Sequence, residues 1–214
     1  MKAPLVFSNL VIKILLASGI ISALLTIFSD VVGGLVTPGY RLASQSASEL
    51  SAVGASTRPL MVTLNLIAGV LLAAFSIGLW QSAGENWFLR VIAVLLAINA
   101  TCSSIALLSF PLHLDEMMTS AANKANVVIM FIGVFAFFLS IIFGIFANTG
   151  WFRYVSLAII SLFIVFTIMG LLISKTGFEI FGEHGATTGI QERTMIYSWN
   201  VWLILQVIVV LIQA

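Results

Sequence analysis

This sequence has very little charge, since only 8% of its 214 residues are acidic or basic while 61% are apolar. A soluble globular domain carries about a quarter charged residues. So few charges cannot cover a surface that faces water, which excludes an ordinary soluble domain and predicts that most of the surface faces lipid. Nine basic and eight acidic residues give a net charge of +1. That balance gives no strong attraction to nucleic acid, and we expect no nucleic-acid partner.

Cysteine and histidine are scarce as well. The single cysteine, Cys102, cannot form an intrachain disulfide, so it does not indicate a redox compartment. It lies in an apolar stretch, where a small buried side chain is its expected role. The two histidines form neither an HxxxH nor an HExxH motif. We therefore expect neither a metal site nor a cofactor.

Long apolar segments are what the sequence has in abundance. A helix needs roughly 20 apolar residues to cross a bilayer. Together the qualifying segments predict an all-α membrane protein, a single domain over residues 1–214 built as a bundle of six transmembrane helices. A first span that starts at Ile14 leaves Lys13 at the interface, where a charge costs less than in hydrocarbon. The predicted spans are 14–36, 60–80, 88–110, 126–147, 152–174 and 190–213.

The loops between these spans are unequal in length and in charge. The three long loops, residues 37–59, 111–125 and 175–189, fall on one face with both histidines and seven of the eight acids. A polar end on a lipid-facing bundle is suited to a binding or catalytic site, although charges also avoid lipid for purely physical reasons. The short-loop face has four Lys and Arg residues and the long-loop face has five, but the short-loop face has more of them per loop residue. The positive-inside rule then predicts cytoplasmic termini and extracytoplasmic long loops in the cell (plasma) membrane.

One acid lies inside the first predicted span. Asp30 is about six residues from the end of that span, roughly 9 Å deep at 1.5 Å per residue. An acid at such a depth usually faces a partner or a cavity, and Arg58 and Arg193 are its candidate partners. The alternative is a helix that ends at Ser29 and leaves Asp30 at the interface.

The last span begins with a polar stripe. A capping-box pattern predicts that its helix starts near Gly189. Arg193, Tyr197 and Asn200 follow at i, i+4 and i+7 and therefore share one helical face. Arg193 is suited to an anionic head group or to a buried acid. Alternatively it is an interfacial arginine within an aromatic belt.

Two long loops contain further polar candidates. In the first, residues 44–50 favour a short surface helix, and Pro59 suits the first turn of the second span with Ser56 or Thr57 as its cap. In the third, His113 and Asp115 lie two residues apart. Histidine beside carboxylates can bind a metal or relay protons, but a solvated acidic loop is the favoured interpretation.

Several short motifs together carry a family resemblance. They are PGY at 38–40, SEL at 48–50, Arg58, FP at 110–111 and GxxER at 189–193. In this order the sequence resembles a bacterial and archaeal membrane family known as domain of unknown function 998 (DUF998). The resemblance implies a six-helix membrane protein without an established activity. Two features depart from it. Three residues separate Pro111 from Asp115, and the third loop lacks the histidine that the family more usually has just before the fourth span, with Asn126 nearby instead. More remotely, the SEL loop is similar to that of Frag/DRAM-like membrane proteins, some of which are tied to lipid handling.

Three functions remain open. The first is binding of a membrane lipid or amphiphile on the long-loop face. The second is an intramembrane lipid hydrolase or transferase, with His113 or His184 as base and Glu49 or Asp115 as acid or orienting group. The third is a small-solute transporter lined by Asn65, Asn99 and Asn200, which the lack of an inverted repeat weakens.

We also expect Glu49, Arg58 and Arg193 to share one polar cluster, and homo-oligomerisation is open. The expected ligand-binding residues are Asp30, Glu49, Arg58, His113, Asp115, His184, Glu192, Arg193 and Tyr197.

Overall fold

The computed structural model describes residues 7–114, 120–173 and 188–213. Over these residues the chain forms six long α-helices, and a short 3-10 helix (Ala47–Ser51) lies between the first two. This confirms the predicted all-α architecture with six long helices. The α-helices are α1 Asn9–Val36, α2 Arg58–Ser82, α3 Trp87–Ser109, α4 Ala121–Ala147, α5 Trp151–Ile173 and α6 Thr188–Gln213.

Five of the helices, α1 to α4 and α6, are long and apolar enough to cross a membrane. In α5 the apolar stretch found over the described residues, Trp151–Phe166, is shorter. Length and composition therefore indicate a membrane protein.

The start of α1 differs from the predicted first span, and its end agrees with it. The helix begins at Asn9 rather than Ile14, because the Ser8 hydroxyl accepts a hydrogen bond from the backbone N–H of Val11 and caps it. At the other end α1 continues past Asp30 to Val36, so the alternative of a helix that ends at Ser29 is wrong.

The start of α2 is also capped differently from the expectation. Thr57 occupies the N-cap position and Pro59 the first turn, as predicted, but no side-chain capping bond forms. The Thr57 hydroxyl instead donates to the carbonyl of Leu50, 2.9 Å away. Thr57 thus ties the helix to the 3-10 helix before it.

The six helices form a closed ring, since each packs on the next in sequence and α6 packs back on α1. At the end of the ring that carries the short loops, the interior is filled by a large aromatic core. Phe75, Phe137 and Trp202 are fully buried there, and Phe152 is nearly so. Trp202 also donates from Nε1 to the Ser156 hydroxyl at 2.9 Å, which satisfies its buried N–H. The short-loop end is therefore densely packed, and the site lies at the other end.

Candidate functional site

Arg193, near the start of α6, is buried between α1 and the first loop (residues 37–57). Its Nε and Nη2 donate to the two carboxylate oxygens of Asp30, both at 2.9 Å. Its Nη1 donates to the carbonyls of Leu42 and Gln45 at 2.7 and 2.8 Å, and Nη2 also donates to the Tyr40 hydroxyl at 2.7 Å. A guanidinium has five N–H donors. All of them are therefore occupied by groups of the protein itself.

Asp30 is only 4% exposed and receives a third hydrogen bond, from the Tyr197 hydroxyl at 2.5 Å. Arg193 and Tyr197 thus converge on it from one face of α6, as their spacing predicted. Asn200, the third member of the stripe, donates to the carbonyl of Ile196 in its own helix. The structure therefore pairs Asp30 with Arg193 rather than with Arg58. We refer to Asp30, Tyr40, Arg193 and Tyr197 as the arginine cluster.

Tyr40 connects the arginine cluster to the first loop. Its hydroxyl accepts from Arg193 and donates to the carbonyl of Ser46 at 2.7 Å. Burial raises the pKa of Tyr40 to about 12, because a buried phenolate loses its hydration, and the hydrogen bond from Arg193 opposes this only in part. The phenol therefore keeps the proton that it donates to Ser46.

The 3-10 helix is held by two glutamates. Glu49 accepts from the backbone N–H of Ser46 and from the Gln45 amide, both at 3.0 Å, and so completes a capping box. Glu192 of α6 accepts from the backbone N–H of Ala47 at 2.9 Å. The first residues of the 3-10 helix are therefore fixed both locally and by α6.

Gly189 allows α6 to start directly against the first loop. A Cβ at this position would collide with the carbonyl oxygen of Leu42 and lie 2.6 Å from that of Gln45. Beside it, the backbone N–H of Ile190 donates to the carbonyl of Ala43 at 3.1 Å. The glycine of the GxxER motif is thus required by close backbone packing.

A cavity of about 480 Å³ lies inside the ring, between the aromatic core and the first loop. All six helices and the 3-10 helix contribute to its wall. Most of the wall is apolar, and its polar groups include Asp30, Ser48, Ser51 and Glu192 near the long-loop end. Asn65, Asn99, Asn126 and Asn200 also line it. The apolar lining includes Met61, Leu72, Leu107, Met130, Phe131, Phe163, Met195, Trp199 and Leu203.

Arg58 contacts a different part of the loop from Arg193. Its Nη1 donates to the carbonyl of Ser51 at 2.5 Å, at the end of the 3-10 helix. Arg193 binds near the start of the 3-10 helix, where it donates to the carbonyl of Gln45. The side-chain amide of Gln45 in turn donates to Glu49. The first loop therefore receives one arginine near each end of the 3-10 helix.

His113 is held by hydrogen bonds within the protein and does not face the cavity. Asn123 binds its backbone on both sides, at 2.9 and 2.8 Å, and its ring Nδ1 lies 3.0 Å from the carbonyl of Pro111. His113 is not among the residues that line the cavity. Asn126 donates to the carbonyl of Phe110 at 2.5 Å and so binds the end of α3.

The remaining predicted site residues, Asp115 and His184, lie outside the described residues. Across the parts of the chain that are described, no group of three or more His, Cys, Asp and Glu side chains is arranged to hold a metal ion.

The sequence did not indicate the roles of Tyr40 and Gln45. The only signal for Tyr40 was its place in the PGY motif, where Gly39 takes a positive φ of 75° that bends the chain. Nothing in the local pattern showed that this bend returns the loop to α6.

A family model described as protein of unknown function (DUF998) matches residues 20–209. No curated protein and no solved structure matches the chain. The matched span contains all four residues of the arginine cluster and the whole cavity wall.

Proposed function

We propose that this chain, which belongs to the DUF998 family of proteins of unknown function, spans the cell membrane with six helices and binds a lipid or other amphiphile. The cavity is the observation that carries the proposal. Its volume of about 480 Å³ falls within the 300–1,000 Å³ range of small-molecule sites. An apolar wall with acids and hydroxyls near one end is suited to a molecule with an aliphatic chain and a polar head.

The position of α4 supports entry of the ligand from the bilayer. Phe131 and Val134 line the cavity, yet Phe131 is 63% exposed and Val134 is 37% exposed on the surface of the bundle. The cavity therefore reaches the side of the molecule at α4. A membrane lipid can enter there without leaving the bilayer.

The closed short-loop end favours binding over solute transport. A transporter needs a route through the whole bundle, but Phe137 stacks on Trp199 at 4.2 Å between ring centroids, and Trp202 packs beneath it. Arg90 and Arg153, at the short-loop end, donate to backbone carbonyls and do not line the cavity.

The described residues give less support to a lipid hydrolase or transferase. Such an enzyme needs a general base within reach of its substrate. No histidine is found among the cavity-lining residues that the structure describes, and Glu49 is engaged in the capping box. The catalytic candidates therefore remain predictions from the sequence.

The proposal is tested by quenching of tryptophan fluorescence with brominated lipids. Trp199 lines the cavity. Purified protein in nanodiscs is titrated with brominated phospholipid, and the same titration of Trp199→Phe isolates the signal of Trp199. We expect saturable quenching of Trp199, since a cavity site fills. Quenching that rises in proportion to the brominated lipid without saturating would show only bulk contact and would overturn the proposal.

Two variants on α3 form a matched pair for this experiment. Ser103 lines the cavity and Thr101 is exposed on the same helix. Ser103→Phe fills part of the cavity and is expected to remove most of the saturable quenching. Thr101→Phe adds the same ring on the outer surface and is expected to leave quenching unchanged.

A further inference from the structure

We propose that the cavity selects an amphiphile with a cationic head, an ammonium group on an alkyl chain. This rests on the proposed function, and it names the ligand class of the same site. The charged residues on the described cavity wall are Asp30 and Glu192, both acids, and no described Lys, Arg or His lines it. The net charge at the polar end of the cavity therefore depends on whether each acid is already paired with a basic side chain of the protein.

The charge of Asp30 is balanced within the protein. Its two oxygens bind Arg193 through a bidentate pair, the strong geometry for arginine and carboxylate. The same pairing leaves Arg193 without a free donor for the phosphate or carboxylate of a ligand. The sequence-based expectation of an anionic head group on Arg193 therefore has no support from this geometry, and Arg58 is turned to Ser51.

Glu192 differs from Asp30 because it has no such balance among the residues that are described. It accepts hydrogen bonds from two neutral groups, the backbone N–H of Ala47 at 2.9 Å and the Ser46 side chain. Arg193 attracts it electrostatically, but the guanidinium is paired with Asp30, and no described cation lies within ion-pair distance of Glu192. A carboxylate accepts up to about four hydrogen bonds, so acceptor capacity remains. An unbalanced acid in an apolar environment is costly, and a cationic ligand offsets part of that cost.

The groups around Glu192 fit an ammonium. Ser48 and Ser51 line the same cavity. The Ser48 hydroxyl shares a hydrogen bond with that of Ser46, and the Ser51 hydroxyl donates to the carbonyl of Ser48. Each hydroxyl oxygen can still accept a further hydrogen bond. An ammonium has three donors and no acceptor. One carboxylate with neighbouring hydroxyl oxygens is therefore complementary to it, whereas a head that carries only negative charge, such as a carboxylate, would meet Glu192 with like charge.

The test compares three ligands with the same sixteen-carbon chain: hexadecylamine, hexadecanol and hexadecanoate. Each competes with brominated lipid for the quenching of Trp199 in nanodiscs. We expect the amine to compete about tenfold more strongly than the alcohol, which is the size of one hydrogen bond to a charged group. The carboxylate is expected to be the weakest of the three.

The variant Glu192→Gln removes the charge but keeps an acceptor for Ala47. It is expected to abolish the preference for the amine while hexadecanol still competes. Glu85→Gln, the same change on an exposed residue of the short-loop end, is the matched control and should retain the preference. Melting temperatures of both variants show that they are folded.

The outcomes separate the two proposals. Competition by none of the three ligands would overturn the amphiphile site itself. Equal competition by amine, alcohol and carboxylate would overturn only the cationic head. An amine preference that survives Glu192→Gln would overturn the role of Glu192. Phosphatidylethanolamine is included because it presents the same ammonium on a membrane lipid, and the stronger competitor identifies the source of the ammonium.

Discussion

At the scale of single residues, Arg193 uses all five of its N–H donors in hydrogen bonds within the protein. Its five donors join α1, α6 and the first loop through Asp30, Tyr40, Leu42 and Gln45. Removal of one partner from a buried pair leaves the other charge uncompensated, which costs about 3–5 kcal/mol. We infer that the arginine cluster stabilises the polar end and shapes the cavity.

Asp30→Asn is therefore expected to lower the melting temperature of the detergent-solubilised protein markedly, by removing the charge opposite Arg193. Glu85→Gln, an exposed acid-to-amide change, should leave it nearly unchanged. The double variant Asp30→Leu/Arg193→Leu removes both charges and should recover part of the loss. Equal melting temperatures for Asp30→Asn and the wild type would contradict the structural role of the pair.

Tyr40 gives a pH-dependent prediction. The pKa of Tyr40 is raised to about 12 in the folded protein against an ordinary value of 10.0, so the folded state holds the proton more tightly than the unfolded state. The stability that Tyr40 contributes is thus complete below pH 10 and is lost as pH rises towards about 12. The difference in unfolding free energy between wild type and Tyr40→Phe should be constant below pH 10 and shrink above it. A difference that grows above pH 10 would contradict the assignment.

Some of these residue-level contacts followed from the sequence and others did not. The depth of Asp30 in an apolar span required a partner, and the i, i+4 spacing of Arg193 and Tyr197 placed them on one face. The contribution of Tyr40 depends on how residues 37–46 fold back on α6. That path is set by contacts between segments about 150 residues apart, which no local pattern encodes.

At the scale of helices, the start of α6 shows how backbone packing positions a site. Glu192 and Arg193 reach the first loop because Gly189 lets α6 approach the carbonyls of Leu42 and Gln45. Hydropathy predicted the six helices and their approximate spans. It could not predict that α1 begins at Asn9, because that end depends on the Ser8 cap rather than on apolar composition.

Gly189→Ala is expected to push α6 away from the first loop and to destabilise the protein, although alanine is the better helix former by about 1 kcal/mol. Gly69→Ala is the matched control, since its Cβ would meet the rotatable hydroxyl of Ser104 at 3.1 Å and the backbone oxygen of Ala100 at an ordinary contact distance of 3.8 Å. Thermal unfolding of the two variants measures the difference. A stability gain in Gly189→Ala similar to that in Gly69→Ala would contradict the close packing.

At the scale of the whole molecule, the two ends of the ring have different roles. The short-loop end is a packed aromatic core, and the long-loop end encloses the cavity and its acids. The sequence indicated this asymmetry through its unequal loops and the concentration of acids. A site at this end was expected from the sequence, but the volume and lining of the cavity were not, because they arise from the packing of all six helices rather than from any one of them.

The proposed orientation has a direct test in intact cells. In a Cys102→Ala background, single cysteines replace Ala43 in the first loop and Thr149 between α4 and α5, both of which are exposed. A maleimide that cannot cross the membrane should label Ala43→Cys in intact cells and Thr149→Cys only after permeabilisation. The reverse pattern would invert the topology, and the cavity would then face the cytoplasm.

Binding of an amphiphile in the cavity is best tested by a high-resolution structure of the protein extracted together with its native lipid. We expect elongated density inside the ring, with its polar end at Glu192 and its chain along Met130 and Phe163. A continuous file of ordered water from the cavity to Arg90 or Arg153, with no such density, would contradict it and indicate a route for solutes instead.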